Sequence, residues 1–234
     1  MREKLLVVFH AAAFAQFFFA VYYDYTYTRV PVQIGKVHNA YGGKFKFLTF
    51  WNAIAQTIFF LLCMLNDIFG TNSVNPKKRP FIRQFKDYFY AAIGYPVSMV
   101  SQQLLMFIDR ELVLPKALDP YFPWWLNHLM HTMIMITTVL EMLMAPRQYP
   151  KRSKGLGGLA FFMLAYLSWM HFVWYKSGVW AYPIIEILTV PLRVAFYLTI
   201  LTLVTGLYFI GETVDRLIWG KIAKSVEKSG KKKK

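Results

Sequence analysis

Two short stretches of this chain place residues able to do chemistry inside runs that are otherwise apolar. One is Lys46-Phe47-Leu48-Thr49-Phe50-Trp51-Asn52, where Thr49 supplies a hydroxyl. The other is Trp124-Trp125-Leu126-Asn127-His128-Leu129-Met130-His131-Thr132, with two imidazoles three positions apart. In an α-helix that spacing sets His128 and His131 on neighbouring positions of one face, and Asn127, four before His131, joins them. A hydroxyl and an imidazole at similar depth are able to act as nucleophile and base. A threonine in an apolar helix also bonds back to the carbonyl four residues earlier, and His131 also suits a hydrogen-bonded core position. Periodicity alone leaves these readings open.

Intramembrane histidines serve two further chemistries. Paired histidines on facing helices ligate haem iron, and three histidines with Asp109 have the donor types of a zinc site. No second helix carries a matching ligand spacing, so neither is favoured. The one cysteine, Cys63, excludes an intramolecular disulfide and reads as a small buried hydrophobe.

The elements that must position these residues are long and apolar. Six stretches, at 5–23, 47–66, 88–108, 123–145, 157–175 and 192–210, each approach the roughly 20 residues that a hydrocarbon core about 30 Å thick requires. The fold expected is an all-α integral membrane protein, a six-transmembrane-helix bundle over residues 1–220 with a basic tail at 221–234. The first stretch has no small-residue cleavage site and reads as a retained helix. His131 then lies about 12 Å below the start of its span at about 1.5 Å per residue, where a polar strip faces the bundle interior or a cavity. Spans two and four run in the same direction, which places Thr49 and the histidine strip in one leaflet.

The net charge of +15 raises the possibility of nucleic acid, but its placement points to membrane topology. Lys77, Lys78, Arg79, Arg83 and Lys86 fall between spans two and three, Arg147, Lys151, Arg152 and Lys154 between spans four and five. Lys221, Lys224, Lys228 and Lys231 to Lys234 follow span six, while the loop containing Asp109 and Glu111 is balanced or acidic. Cytoplasmic loops hold the excess of Lys and Arg, so both termini are expected in the cytoplasm. Lys231-Lys232-Lys233-Lys234 also matches a dilysine retrieval signal of the endoplasmic reticulum, an address read by a receptor.

Pro96 within span three is expected to kink it and free a carbonyl near mid-membrane. Gly155, Gly157 and Gly158 open span five and permit close helix contact. Trp180 to Val190, with Tyr182-Pro183 and Glu186, reads as a short re-entrant or interfacial segment. A bundle of this kind also suits a non-enzymatic adaptor or regulator whose cytoplasmic loops bind partners.

Several blocks in order resemble one known family, that of androgen-induced gene 1 and androgen-dependent TFPI-regulating protein. They include Tyr41-Gly42-Gly43-Lys44-Phe45-Lys46-Phe47-Leu48-Thr49-Phe50, Asp109-Arg110-Glu111 with Pro115-Lys116, and Trp125 to Thr132. Gln148-Tyr149-Pro150, Tyr182-Pro183 with Glu186, and Gly211-Glu212 follow. The resemblance implies a six-span membrane hydrolase with an essential threonine and histidine, cleaving the ester bond of fatty acid esters of hydroxy fatty acids. Carried over, the threonine is Thr49 and the histidine His131; His128 matches a family histidine too. Asn52 stands where human members carry an aspartate.

On that reading the partner is a lipid substrate within the membrane, with neither cofactor nor metal implied. Asn127, His128, Asn52 and Glu186 are candidates for support of the base or of an oxyanion. The substrate's free carboxylate needs a cation, and Arg193, Lys44, Lys46 and Arg110 are candidates. A metal-dependent lipid hydrolase stands as the other enzymatic reading.

Overall fold

The structure, a computed structural model, describes residues 2–32, 35–100 and 120–231, with 227–231 described by backbone alone. The described residues form nine α-helices: α1 (Arg2–Tyr27), α2 (Lys36–Asn39), α3 (Leu48–Phe69), α4 (Phe81–Phe89), α5 (Trp124–Asn127), α6 (Met133–Met144), α7 (Arg152–Ser177), α8 (Pro183–Ile187) and α9 (Val190–Lys231). No strand occurs among them. Four of these helices, α1, α3, α7 and α9, are long and apolar enough to cross a membrane. The molecule is an all-helical membrane protein.

Two other expected apolar stretches fall, as far as they are described, on interrupted helices. α4 passes through a π-turn at Tyr90–Gly94 and stays helical to residue 100; the rest of the expected third span, with Arg110, lies outside the described residues. α5 and α6 are joined by a second π-turn at His128–Thr132, so the chain is helical over 124–144. The first π-turn sits beside Pro96, whose missing N–H and bulky ring disturb the preceding turn. The Gly94 carbonyl there accepts hydrogen bonds from Gln56 Nε2 at 3.1 Å and Ser98 Oγ at 2.5 Å. These two side chains tie α3 and the helical stretch after the π-turn to one backbone carbonyl.

Polar and aromatic pairs fix the direction of each long helix. α1 and α3 are antiparallel: His10 meets Asp67 at one end at 2.6 Å, and Asp24 meets Lys44 at the other at 2.5 Å. α5 starts beside the late part of α1, with Trp125 4.8 Å from Tyr23, and the last turn of α6 carries Glu141, 2.9 Å from His10. In α7, Arg152 pairs with Glu212 of α9, and Trp169 reaches the Phe45 carbonyl at the far end. Thr49 and the histidine segment therefore belong to the same half of the bundle; the opposite half is the Glu141 end.

Small residues allow close approach where expected, with one exception. A Cβ at Gly155 would overlap Tyr208, and one at Gly158 would overlap Tyr88, whereas Gly157 faces open space. Between Trp180 and the start of α9 at Val190 lies the short α8. α9 runs as one helix to Lys231, past the end of the apolar stretch.

Candidate active site

Thr49 lies on the first turn of α3. Gly42, at φ +88, and the single turn Gly43–Lys46 lead into that helix, and a side chain at Gly42 would be strained by the left-handed backbone. The carbonyl that Thr49 would back-bond to is that of Phe45. It instead accepts indole N–H groups from Trp51 at 2.6 Å and Trp169 at 2.8 Å. Among the described residues the Thr49 hydroxyl has no hydrogen bond, and the residue is half-buried.

The start of α3 is pinned from α7 and from the turn before α8. Leu48 donates its backbone N–H to the Tyr182 hydroxyl at 2.9 Å. Tyr166 donates to the Lys46 carbonyl at 2.9 Å, and its oxygen lies 3.2 Å from that of Tyr182. Two of the carbonyls and N–H groups that flank Thr49 are thus held by side chains more than a hundred residues away. An aromatic-walled cavity of about 440 Å³, lined by Tyr41, Phe45, Trp51 and Trp169, opens next to this turn.

His131 lies inside the π-turn that joins α5 to α6. The turn packs against α1 and α3. The ring is half-buried, and its Nδ1 is enclosed without a hydrogen-bond partner among the described residues. Thr49 and His131 are on packed elements but make no hydrogen bond to each other among the described residues.

The helical-face expectation for span four does not survive the π-turn. His128 is exposed, its Nδ1 is 3.1 Å from the Thr132 hydroxyl, and it sits edge-on to Trp124. Asn127 does not reach the Nδ1 of His131. A π-turn takes more residues per turn than an α-helix, which shifts side chains that an α-helical spacing would align. Asn52 is buried on α3, 3.4 Å from the Ser98 hydroxyl. Glu186 is exposed on α8.

Of the candidate cations, Lys46 is committed elsewhere. It is fully buried and donates to the carbonyls of His38 at 3.2 Å and Ala40 at 3.0 Å, closing the end of α2. Burial, with Lys44 nearby, lowers its pKa to about 8. It therefore holds the loop and is not free for a substrate carboxylate. Lys44 is paired with Asp24. Arg193 donates to the Leu188 carbonyl at 2.9 Å and stacks 5.0 Å over Trp180.

The Glu141 end holds a buried ionic cluster that the linear pattern did not reveal. His10 stands between Asp67 and Glu141, at 2.6 and 2.9 Å. Lys86 is 3.5 Å and Arg147 3.8 Å from Glu141. Arg83 pairs with Asp87 at 2.8 Å and donates to the Thr71 and Pro146 carbonyls. Arg83, Lys86 and Arg147 were read as loop cations that set topology; they are buried, and each ties α4 or the 146–149 stretch to the helix ends. The signal available was Glu141 itself, a lone carboxylate in an apolar run that lipid would not tolerate unpaired.

Comparison with known proteins decides the family. The model for FAR-17a/AIG1-like protein matches residues 5–216. The chain belongs to this family. It is 34% identical over 206 residues to the human (Homo sapiens) androgen-induced gene 1 protein, covering 84% of this chain and 86% of that protein. Androgen-dependent TFPI-regulating protein of Mus musculus is 31% identical over 227 residues, covering 96% and 97%. The human form of that second protein is 32% identical over 184 residues, covering 77% and 80%. No solved structure matches the chain.

Proposed function

We propose that this family member is an integral-membrane esterase that cleaves fatty acid esters of hydroxy fatty acids, with Thr49 as nucleophile and His131 as general base. The observation that carries the reading is the pair of unspent groups in one half of the bundle. Thr49 has lost its back-bonding carbonyl to two tryptophans, and His131 keeps an enclosed Nδ1, unpartnered among the described residues, on the turn packed against α3. Buried polar groups are normally satisfied. An imidazole left without a partner, in a widened turn of a kind that recurs at functional sites, is consistent with a base awaiting its substrate.

In the proposed reaction His131 takes the proton of Thr49 Oγ1 as that oxygen attacks the ester carbonyl. The tetrahedral intermediate collapses to an acyl-threonine, and the hydroxy fatty acid leaves with the proton from His131. Water, deprotonated by His131, releases the second fatty acid and restores Thr49. Catalytic hydrogen bonds often tighten only with substrate bound, and here Thr49 and His131 must approach as the acyl chains enter. The N-terminus of α3 supports the charge that develops through its partial positive charge; the N–H groups of Leu48, Phe50 and Trp51 are already engaged. The aromatic cavity beside it suits an apolar chain.

We further propose six spans, with both termini and the loops after α3 and α6 in the cytoplasm, and retrieval to the endoplasmic reticulum through Lys231 to Lys234. A free carboxylate on the substrate then falls to Arg193 or Lys44 at the Thr49 end. Reaction of purified protein with an ester of a hydroxy fatty acid, with Thr49→Ala and His131→Ala as controls, tests the chemistry. Hydrolysis that survives both changes removes the Thr49–His131 assignment.

One observation favours a second reading, a metal-dependent hydrolase. The ligand atoms of His10, Cys63 and Glu141 lie within 4.8 Å of one another. Against it, both nitrogens of His10 are already engaged by carboxylates, and Lys86 and Arg147 supply positive charge to Glu141. Elemental analysis of active protein, with activity measured before and after chelation, separates the two readings.

A further inference from the structure

A cavity of about 470 Å³ opens at the Glu141 end, between the 146–149 stretch and the later part of α9. Three side chains that line it hold buried polar atoms without hydrogen-bond partners among the described residues: Arg147 Nη1, Tyr149 Oη and Asp215 Oδ1. Arg147 is 5% and Asp215 6% exposed, so neither is served by open water. The Nε of Arg147 and Oδ1 of Asp215 are 3.7 Å apart, too far for a hydrogen bond. Leaving such groups without hydrogen bonds is costly; Arg147 and Asp215 offset part of that cost as an ion pair, and all three side chains line this one cavity.

Their types define a complement. Arg147 and Tyr149 offer donors and suit phosphate oxygens. Asp215 offers an anionic acceptor and suits an ammonium with N–H bonds. A purely anionic ligand would face Asp215 and Glu212. A quaternary ammonium has no N–H for Asp215, and Trp219, which lines the cavity, already has Arg2 over its ring at 5.8 Å.

Position adds the source. α9 has 42 residues, and at about 1.5 Å each it is roughly twice as long as the hydrocarbon core is thick. Its start, at Arg193 and Trp180, is at the Thr49 end, so the part that carries Asp215 and Lys224 reaches the headgroup level or beyond.

We propose that this cavity binds a phosphoethanolamine group, with its phosphate on Arg147 and Tyr149 and its ammonium on Asp215, presented by a phospholipid of the adjoining leaflet. The proposal is independent of the hydrolase reading.

Native mass spectrometry of the full chain tests it, after incubation in detergent with phosphatidylethanolamine, its N-methyl and N,N-dimethyl forms, phosphatidylcholine and phosphatidic acid. Expected retention falls along the methylation series, with phosphatidylethanolamine held about tenfold better than phosphatidylcholine, the size of one lost charge-assisted hydrogen bond. Asp215→Asn abolishes that preference, and Tyr149→Phe weakens retention of every phosphate-bearing lipid. Competition by soluble glycerophosphoethanolamine would assign the same chemistry to a soluble ligand; no competition assigns it to the lipid. Equal retention of phosphatidylethanolamine and phosphatidylcholine by the unaltered protein, tighter holding of phosphatidic acid, or an undiminished preference in Asp215→Asn overturns the proposal. The lipid series on the unaltered protein is decisive even if a variant fails to fold.

Discussion

The Tyr182 hydroxyl accepts the backbone N–H of Leu48 at 2.9 Å, across 134 positions of sequence. Leu48 is the first residue of α3 and Thr49 the second. Tyr182 precedes the only turn of α8, so a contact between α8 and α3 fixes the orientation of the proposed nucleophile. Tyr182→Phe leaves a buried N–H unmet and is expected to cost about 1 kcal/mol of stability. If Thr49 is catalytic, the same change lowers kcat more than it alters KM. A melting curve and steady-state kinetics on the one variant check both; unchanged kinetics with reduced stability would make Tyr182 merely structural.

Serine at position 49 keeps a hydroxyl on the first turn of α3, and alanine does not. Thr49→Ser is expected to retain part of the ester hydrolysis and Thr49→Ala none. Both variants should melt close to the unaltered protein, since the Thr49 hydroxyl makes no hydrogen bond among the described residues. Ester hydrolysis assays beside thermal melts check this.

Glu141 is fully buried and faces His10, Lys86 and Arg147 together. Removing one partner of a buried ion pair strands the others. Glu141→Ala is expected to destabilise the protein by about 3 kcal/mol or more, seen as a large fall in the melting midpoint in detergent. A change of under about 1 kcal/mol, the range of exposed pairs, would show that water already screens the cluster.

His38 sits on α2, ahead of α3, with Lys44 and Lys46 close by. Burial, aided by those two cations, lowers its pKa from 6.5 to about 4. The unfolded chain therefore binds a proton below pH 6.5 that folded His38 declines, so stability falls as pH drops from 6.5 toward 4. His38→Gln is expected to flatten the pH dependence of the melting midpoint in that window. A profile that is equally steep in the variant would assign the acid sensitivity to other groups.

The parts of this molecule that the sequence foretold are those written within one helix. The long apolar runs, the close approaches at Gly155 and Gly158, and the irregular backbone near Pro96 each follow from neighbouring residues. The π-turn at His128–Thr132 was not legible, because a widened turn leaves the apolar pattern almost intact while it moves His128 off the face of His131. The ionic cluster was not legible either. His10 joins Asp67 and Glu141 over separations of 57 and 131 residues, and Arg83 and Lys86 look like loop charges until α4 folds them inward. Lys46 misled for the same reason, since its carbonyl partners come from a loop whose path no helical period encodes.

The measurement that bears most directly on the central claim is covalent labelling by a fluorophosphonate probe of the protein in detergent, comparing unaltered chain, Thr49→Ala and His131→Ala. The proposed mechanism predicts labelling of the unaltered protein at Thr49, lost in both variants while their melting curves stay cooperative. Labelling that persists in Thr49→Ala, or ester hydrolysis that persists in His131→Ala, would contradict it.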